Sequence, residues 1–324
     1  MNTMKLLLKR EYWEHKGGFF WAPIVVASLI ALLTIGSMLF ATTIAGPHGG
    51  FHMGSESLSL QQALSSISEP DKINFAKGLA ASYPAVALPL IVMLGFVVFF
   101  YCLGNLFDER KDRSILFWKS LPVSDRDTVI SKALTALIAG PLITIGFALV
   151  LSLVLVFALM LLASFHGMNL FGLVLADKNF YLVILQILSF IPIYALWALP
   201  TVGYLMFVSS WAKTKPFLWA VGVPVLGGVI LSWVNILAGS PYKLDKYWEI
   251  VVGRGLGSVM PGTWLGQVAG QSQSSIQADS SNAIQYLLSN TYGLLSTANL
   301  WIGVAIGIAF LFGAMKMRRY RDEG

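Results

Sequence analysis

Apolar residues in this chain run in unbroken blocks, without the alternation of a half-buried strand or the one-sided spacing of a soluble helix. Stretches free of ionised side chains cover Gly17–Ser55, Gly78–Phe107, Ala133–Ala176, Asn179–Ala212, Pro216–Tyr242 and Ser280–Met315. Each exceeds the roughly 20 residues with which an α-helix crosses a hydrocarbon core of about 30 Å. In lipid the backbone polar groups must be satisfied within the segment, so each block is expected to be helical. The pattern predicts an all-α integral membrane protein with six spans, at 19–44, 82–107, 132–163, 180–211, 216–239 and 294–315. An interfacial helix at 1–18 precedes them, and an insert at 108–131 separates spans 2 and 3. Outer loops are expected at 45–81, 164–179 and 240–293, and a basic tail at 316–324; within 240–293 the stretches Val251–Val252 and Met260–Trp264 are apolar but too short to span, and fit short helices that dip partway into the membrane. The apolar part of the first block, Phe19–Ile44, is far longer than a signal-peptide core of about 7–15 residues, and is expected to be a retained span.

Composition agrees: 56% of residues are apolar and 12% charged, and the mean hydropathy is +0.71. Soluble domains average about 25% charged residues. An even number of spans puts both termini on one side. That side carries Lys5, Lys9, Arg10, Lys16, Arg110, Lys111, Arg113, Lys119, Arg126, Lys132, Lys213, Lys215, Lys316, Arg318, Arg319 and Arg321, which is 16 of the 22 basic residues. The excess predicts cytoplasmic termini. It also accounts for the net charge of +6 without a nucleic-acid partner.

Candidate chemistry is sparse. The chain has no G-x-x-x-x-G-K-[ST] loop, no HExxH, no CxxC and no G-x-S-x-G. Cys102 is its one cysteine, so no intrachain disulfide is possible. Proton relays place ionisable groups inside the bilayer, and the cores of the six blocks hold none. No catalytic, cofactor or metal residue is therefore assigned. His48, His52 and Met53 are read as part of a loop, because Gly49 and Gly50 between the histidines oppose a preformed ligand face. Leu58, Ala63, Leu64 and Ile67 have helix-like spacing in the first outer loop.

The charged insert is the informative feature. At 100° per residue, Ile115, Phe117, Trp118 and Leu121 fall in one sector, opposite Glu109, Asp112, Arg113 and Lys119. Such a helix is expected to lie flat at the membrane interface with its aromatic face toward lipid. Leu116 sits among the charges, where it could enter a groove on another protein. Pro122 ends the helix, and Ser124 or Asp125 can cap the next one.

The insert resembles the cytoplasmic motif of ABC-2 type permeases, in which E-R-x-x-x-(T/S)-(L/I) leads to L-P-V-S and then to a G/S-K that opens helix 3. The matching residues are Glu109, Arg110, Ser114, Ile115, Leu121, Pro122, Val123, Ser124, Ser131 and Lys132. The chain departs from that pattern at Arg113, where many members carry Gly, and at Leu116, where they carry an acidic residue. The resemblance implies a permease subunit of an ATP-driven exporter, paired with a second permease chain and with separate P-loop ATPase subunits that hold ATP and Mg. The insert would then be the coupling helix, with Glu109, Arg110, Arg113, Ser114, Ile115, Leu116, Trp118, Leu121 and Pro122 as its contact set. The N-terminal helix would touch the ATPase through Lys5, Lys9, Arg10, Tyr12 and Trp13, or rest on lipid headgroups. The glycines Gly227, Gly228, Gly303 and Gly307 permit close helix crossings, within the chain or at a dimer seam. Two other classes stay open: an assembly or signalling subunit that passes no cargo, and a membrane-bound lipid-modifying enzyme.

Overall fold

A computed structural model describes residues 3–43, 51–53, 56–58, 68–120, 123–165, 167–238, 244–265 and 283–320. Six of its helices are long and apolar enough to cross a membrane: Gly17–Phe40, Glu69–Lys111, Asp125–Phe165, Lys178–Trp211, Leu218–Leu237 and Ala298–Tyr320. The protein is thus helical and multi-pass. The only strands among the described residues form a small antiparallel hairpin that pairs Phe51 with Leu58 and Met53 with Glu56. His52 lies on it, and so does Leu58, which the spacing had placed in a helix. His48 falls outside the described residues.

In chain order, α1 is Thr3–Glu14 and α2 is Ala22–Thr43, joined through a π-helical turn at Gly17–Trp21. Span 2 comprises α3 (Glu69–Ser82), a 3-10 turn at Tyr83–Ala87 and α4 (Leu88–Lys111). It begins well before residue 82, because Ser68 caps α3 by accepting from the amide of Asp71 at 3.4 Å. Pro84 and Pro89 do not break the path, since each sits in the first turn of its segment, where a backbone donor is not needed. The insert supplies α5 (Ser114–Ser120).

Span 3 starts at Asp125, not near 132. Its parts are α6 (Asp125–Leu134), a π turn at Thr135–Ala139 and α7 (Gly140–Phe165). Ser124 accepts from the amide of Asp127 at 3.0 Å, and Asp125 and Asp127 face the positive end of the helix dipole. The second half of the charged insert is therefore the foot of span 3.

A short α8 (Phe171–Leu175) leads to α9, Lys178–Trp211, whose 34 residues extend about 50 Å. Span 5 is a π turn at Leu218–Gly222 followed by α10 (Val223–Leu237). The described chain closes with α11 (Ala283–Gly293) and α12 (Ala298–Tyr320). Residues 316–320 continue α12, and Arg318 is buried, so the tail is not a free basic end up to that point.

The main core gathers α4, α9, α12 and the foot of span 3 around Val98, Cys102, Leu106, Ala198, Val202 and Leu205. The α9–α12 crossing is tight. A Cβ on Gly203 would lie 2.5 Å from the carbonyl oxygen of Gly307, and one on Gly307 would lie 2.7 Å from the backbone of Leu199. By contrast α2 buries only Pro23 among its described side chains and α10 only Gly228; along both, large apolar side chains such as Leu32, Phe40, Leu226 and Trp233 face outward.

The outer segment 244–265 does not stay at the surface. Tyr247 donates to the carbonyl of Pro224 at 2.8 Å, 13 residues or about 20 Å along α10 from its far end at Leu237. Tyr194 and Trp197 of α9 hold it through Val259 and Thr263. It carries Arg254 in beside α9 and α12, where Arg254 donates to the carbonyl of Asn299 at 2.7 Å and lies 4.6 Å over the ring of Trp197. The six helix cores are free of charge, as expected, but Arg254 had been counted with the outer surface.

Candidate functional site: the base of the charged insert

Three acids and three bases meet where α1, α4, α6 and α12 converge. Glu11 is wholly buried on α1, one turn beyond Leu7. Its two carboxylate oxygens accept from the ammonium of Lys132 at 2.9 and 3.1 Å, and Oε2 accepts from the Tyr101 hydroxyl at 2.9 Å. Lys132 is itself 1% exposed and also lies 3.1 Å from Glu109 Oε1. Glu109 accepts from Arg10 at 2.5 Å and, through Oε2, from Arg318. Arg318 reaches on to Asp125 at 3.0 Å. Glu11, Glu109 and Asp125 thus balance Arg10, Lys132 and Arg318. Buried charge is tolerated only when paired and hydrogen-bonded in this manner.

Arg110 closes the adjoining side. It donates to the carbonyls of Ser209 and Ala212, at 2.7 and 2.8 Å, where α9 ends and its last carbonyls lack helical partners. The Ser209 hydroxyl in turn accepts from the amides of Leu106 and Phe107.

From this base the chain reverses at Arg113, whose φ of 57° is left-handed, and enters α5. Ser114 donates to the carbonyl of Glu109 at 3.3 Å, and Ile115 is 1% exposed. The ring of Trp118 lies 3.7 Å under the Arg10 guanidinium. Leu116 and Phe117 point outward, 56% and 61% exposed. The expected apolar face is therefore divided: Ile115 and Trp118 hold α5 to the protein, and Phe117 joins Leu116 on the open side. The reversal at Arg113 rotates α5 against its neighbours, which a lone helical wheel does not register. Leu121 and Pro122 lie outside the described residues.

Lys5, Lys9 and Trp13 are exposed on α1, and Tyr12 packs edge-on against Trp13 and Phe20. Arg10 is turned inward. Gly227 and Gly228 accommodate Tyr247 and Trp248, Gly303 faces Arg254 and Pro200, and Gly307 faces Leu199, all within one chain.

Sequence reasoning passed over Glu11, Tyr101 and Arg318 as members of a site, and it gave Asp125 only a capping role. The available signal was an acid on the Leu7 face of a basic helix. Glu11, Glu14 and His15 lie close enough to share a metal ion. The set does not suit one, because both Glu11 oxygens are taken by Lys132 and Glu14 pairs with Arg10 at 2.9 Å.

His15 packs edge-on against Tyr101 at 4.6 Å. Burial holds its pKa below the ordinary value, assisted by Lys132 and opposed by Glu11, Glu14 and Asp108. A depressed histidine pKa favours folding above the unfolded value of about 6.5, and that contribution disappears as pH falls through the folded value. Stability should be level above about pH 6.5 and decline below it. His15→Gln should remove this part of the decline in unfolding temperatures measured from pH 7.5 to 5.5; an unchanged slope would refute the assignment.

No family model, curated protein or solved structure matches this chain.

Proposed function

We propose that the chain is the permease subunit of an ATP-driven exporter of the ABC-2 type, in a bacterial inner membrane, with α5 as the helix that takes force from a separate ATPase. The observation that carries this reading is the construction of α5. A short helix leaves a rigid, ion-paired base and shows two neighbouring apolar side chains, Leu116 and Phe117, to the outside. Force applied there would reach spans 2, 3 and 6 and the N-terminal helix together, because Glu109 contacts a residue from each of the other three. The left-handed backbone at Arg113 fits the Gly that the ABC-2 pattern often carries at this position. The contact set narrows accordingly. Leu116 and Phe117 meet the partner, Arg113 supplies the reversal, and Glu109, Arg110, Ser114, Ile115 and Trp118 hold the helix from behind.

The test uses the burial of Cys102, which leaves a new surface thiol without a competitor. Leu116→Cys, labelled with a photoactivatable maleimide in native membranes, should form an adduct with a P-loop ATPase. Leu116→Glu and Phe117→Glu should leave the fold intact, yet lower co-purification of that ATPase and its stimulation in vesicles by at least about tenfold, the equivalent of 1.4 kcal/mol. Normal binding and stimulation in both variants would exclude α5 as the coupling element.

A further inference from the structure

A cavity of about 560 Å³ lies between span 2, α7, α9 and the outer segment, at the opposite end of span 2 from the charged base. Its walls are apolar: Ala85, Leu88 and Ile91 from span 2, Ile145 and Ala148 from α7, and Ile187 from α9. The donors of its polar lining residues are already engaged. The Ser82 hydroxyl donates to the Gly78 carbonyl at 2.7 Å, Tyr194 to Val259 at 3.1 Å, and the Trp264 indole to Thr291 at 3.3 Å. Ordered water needs two to four polar partners, so this space does not suit water. Protein interiors are close-packed, and a void of this size left empty would forfeit the contacts of every wall. The medium around the spans is hydrocarbon, and the cavity borders lipid-facing surface at Leu88, itself 60% exposed.

Its shape also fits a chain molecule. The wall formed by span 2 runs from Gly78 to Leu94, about 24 Å at helical rise. Lys77 stands at the end of that wall, directly before the lining residue Gly78 and one helical turn (i−4) from the lining residue Ala81. Its ammonium is exposed and pairs with no carboxylate among the described residues.

We propose that this cavity is a lipid site: one acyl chain of an anionic bilayer phospholipid occupies it, and the lipid phosphate sits at Lys77. The wall supplies the apolar contact, and Lys77 supplies the charge complement at the end where a headgroup would emerge. This assignment does not depend on the exporter reading.

The test reconstitutes the intact protein in vesicles of phosphatidylglycerol and phosphatidylcholine, doped with either phospholipid carrying a diazirine at the end of its acyl chain. Photolysis and peptide mass spectrometry should place adducts on 78–94 and 141–149. Excess unlabelled phosphatidylglycerol should suppress them. Ala148→Trp should lower them several-fold, and Lys77→Glu should lower adducts from the phosphatidylglycerol probe while sparing those from phosphatidylcholine. If Ala148→Trp fails to fold, the adduct map of the native protein decides. Adducts confined to the exposed faces of α2 and α10, or adducts that excess lipid does not suppress, would overturn the proposal. So would a Lys77→Glu variant that keeps its preference for the anionic probe.

Discussion

Glu109→Gln is expected to cost the folded protein about 3–5 kcal/mol, the usual result of breaking a buried ion pair by removing one partner. The substitution keeps the side chain's size and takes away the charge that Arg10, Lys132 and Arg318 share. Lys132 retains Glu11, and Arg318 retains Asp125, but Arg10 is left with Glu14 and a side-on contact to Glu11. The three cations would then repel one another in a space that excludes water. Thermal unfolding of the purified protein in detergent should shift down clearly, and limited proteolysis should release α1 early. Asp108→Asn, one residue away on the exposed side, serves as the control and should change little. A double variant, Glu109→Gln with Arg318→Met, should be less harmful than the sum of its parts, because the second change removes one of the cations that the first deprived of Glu109. Equal stability of Glu109→Gln and Asp108→Asn would show that the charges are not coupled as the distances require.

Gly307→Val should destabilise the crossing of α9 and α12 by about 1–3 kcal/mol or more, as overpacking does where backbone must move. The obstacle at Gly307 is the main chain of Leu199, and at Gly203 it is the carbonyl of Gly307 itself, so neither can turn aside as a side chain would. Gly203→Ala should therefore resemble Gly307→Ala. Gly303→Ala should be milder, because its nearest obstacle at 2.5 Å is the far end of the Arg254 side chain. Gly146→Ala provides a test of opposite sign. No atom lies within 4 Å of the added methyl, and the change should stabilise α7 by up to about 1 kcal/mol through helix propensity. Unfolding midpoints of the five variants would order them. A neutral Gly307→Val would mean that the two helices do not approach as closely as described.

The spans were readable because lipid imposes a coarse rule: charge is absent from a long block, and the block is helical. Their ends were not readable by the same rule. Ser68 and Ser124 begin helices inside polar sequence, and α12 continues through Lys316 and Arg318, so helix length exceeded the charge-free length at all three places. The charged insert was recognisable as a site, but the direction of its side chains was not. Glu109 and Arg110 look like surface residues on a single helix, whereas their partners come from elements far away in the chain. Glu11 and Lys132 are 121 positions apart, and Glu109 and Arg318 are 209 apart. Local spacing does not encode such pairings. The outer segment was legible in part: the short apolar stretches Val251–Val252 and Met260–Trp264 allowed it to dip inward, but not that Tyr194, Trp197 and Thr201 would be its hydrogen-bonding partners within the bundle.

Of the four π-helical turns among the described residues, those at Gly17–Trp21, Thr135–Ala139 and Leu218–Gly222 lie in odd-numbered spans near the end that faces the insert. At each one the i→i+4 ladder gives way to a wider i→i+5 turn, a departure from regular helix that recurs at functional sites. A shove delivered at the foot of the bundle would be absorbed at these articulations before it bent any straight length of helix. The feet of spans 1 and 3 could then shift while α4 and α12, unbroken as far as Glu109 and Arg318, kept their shape.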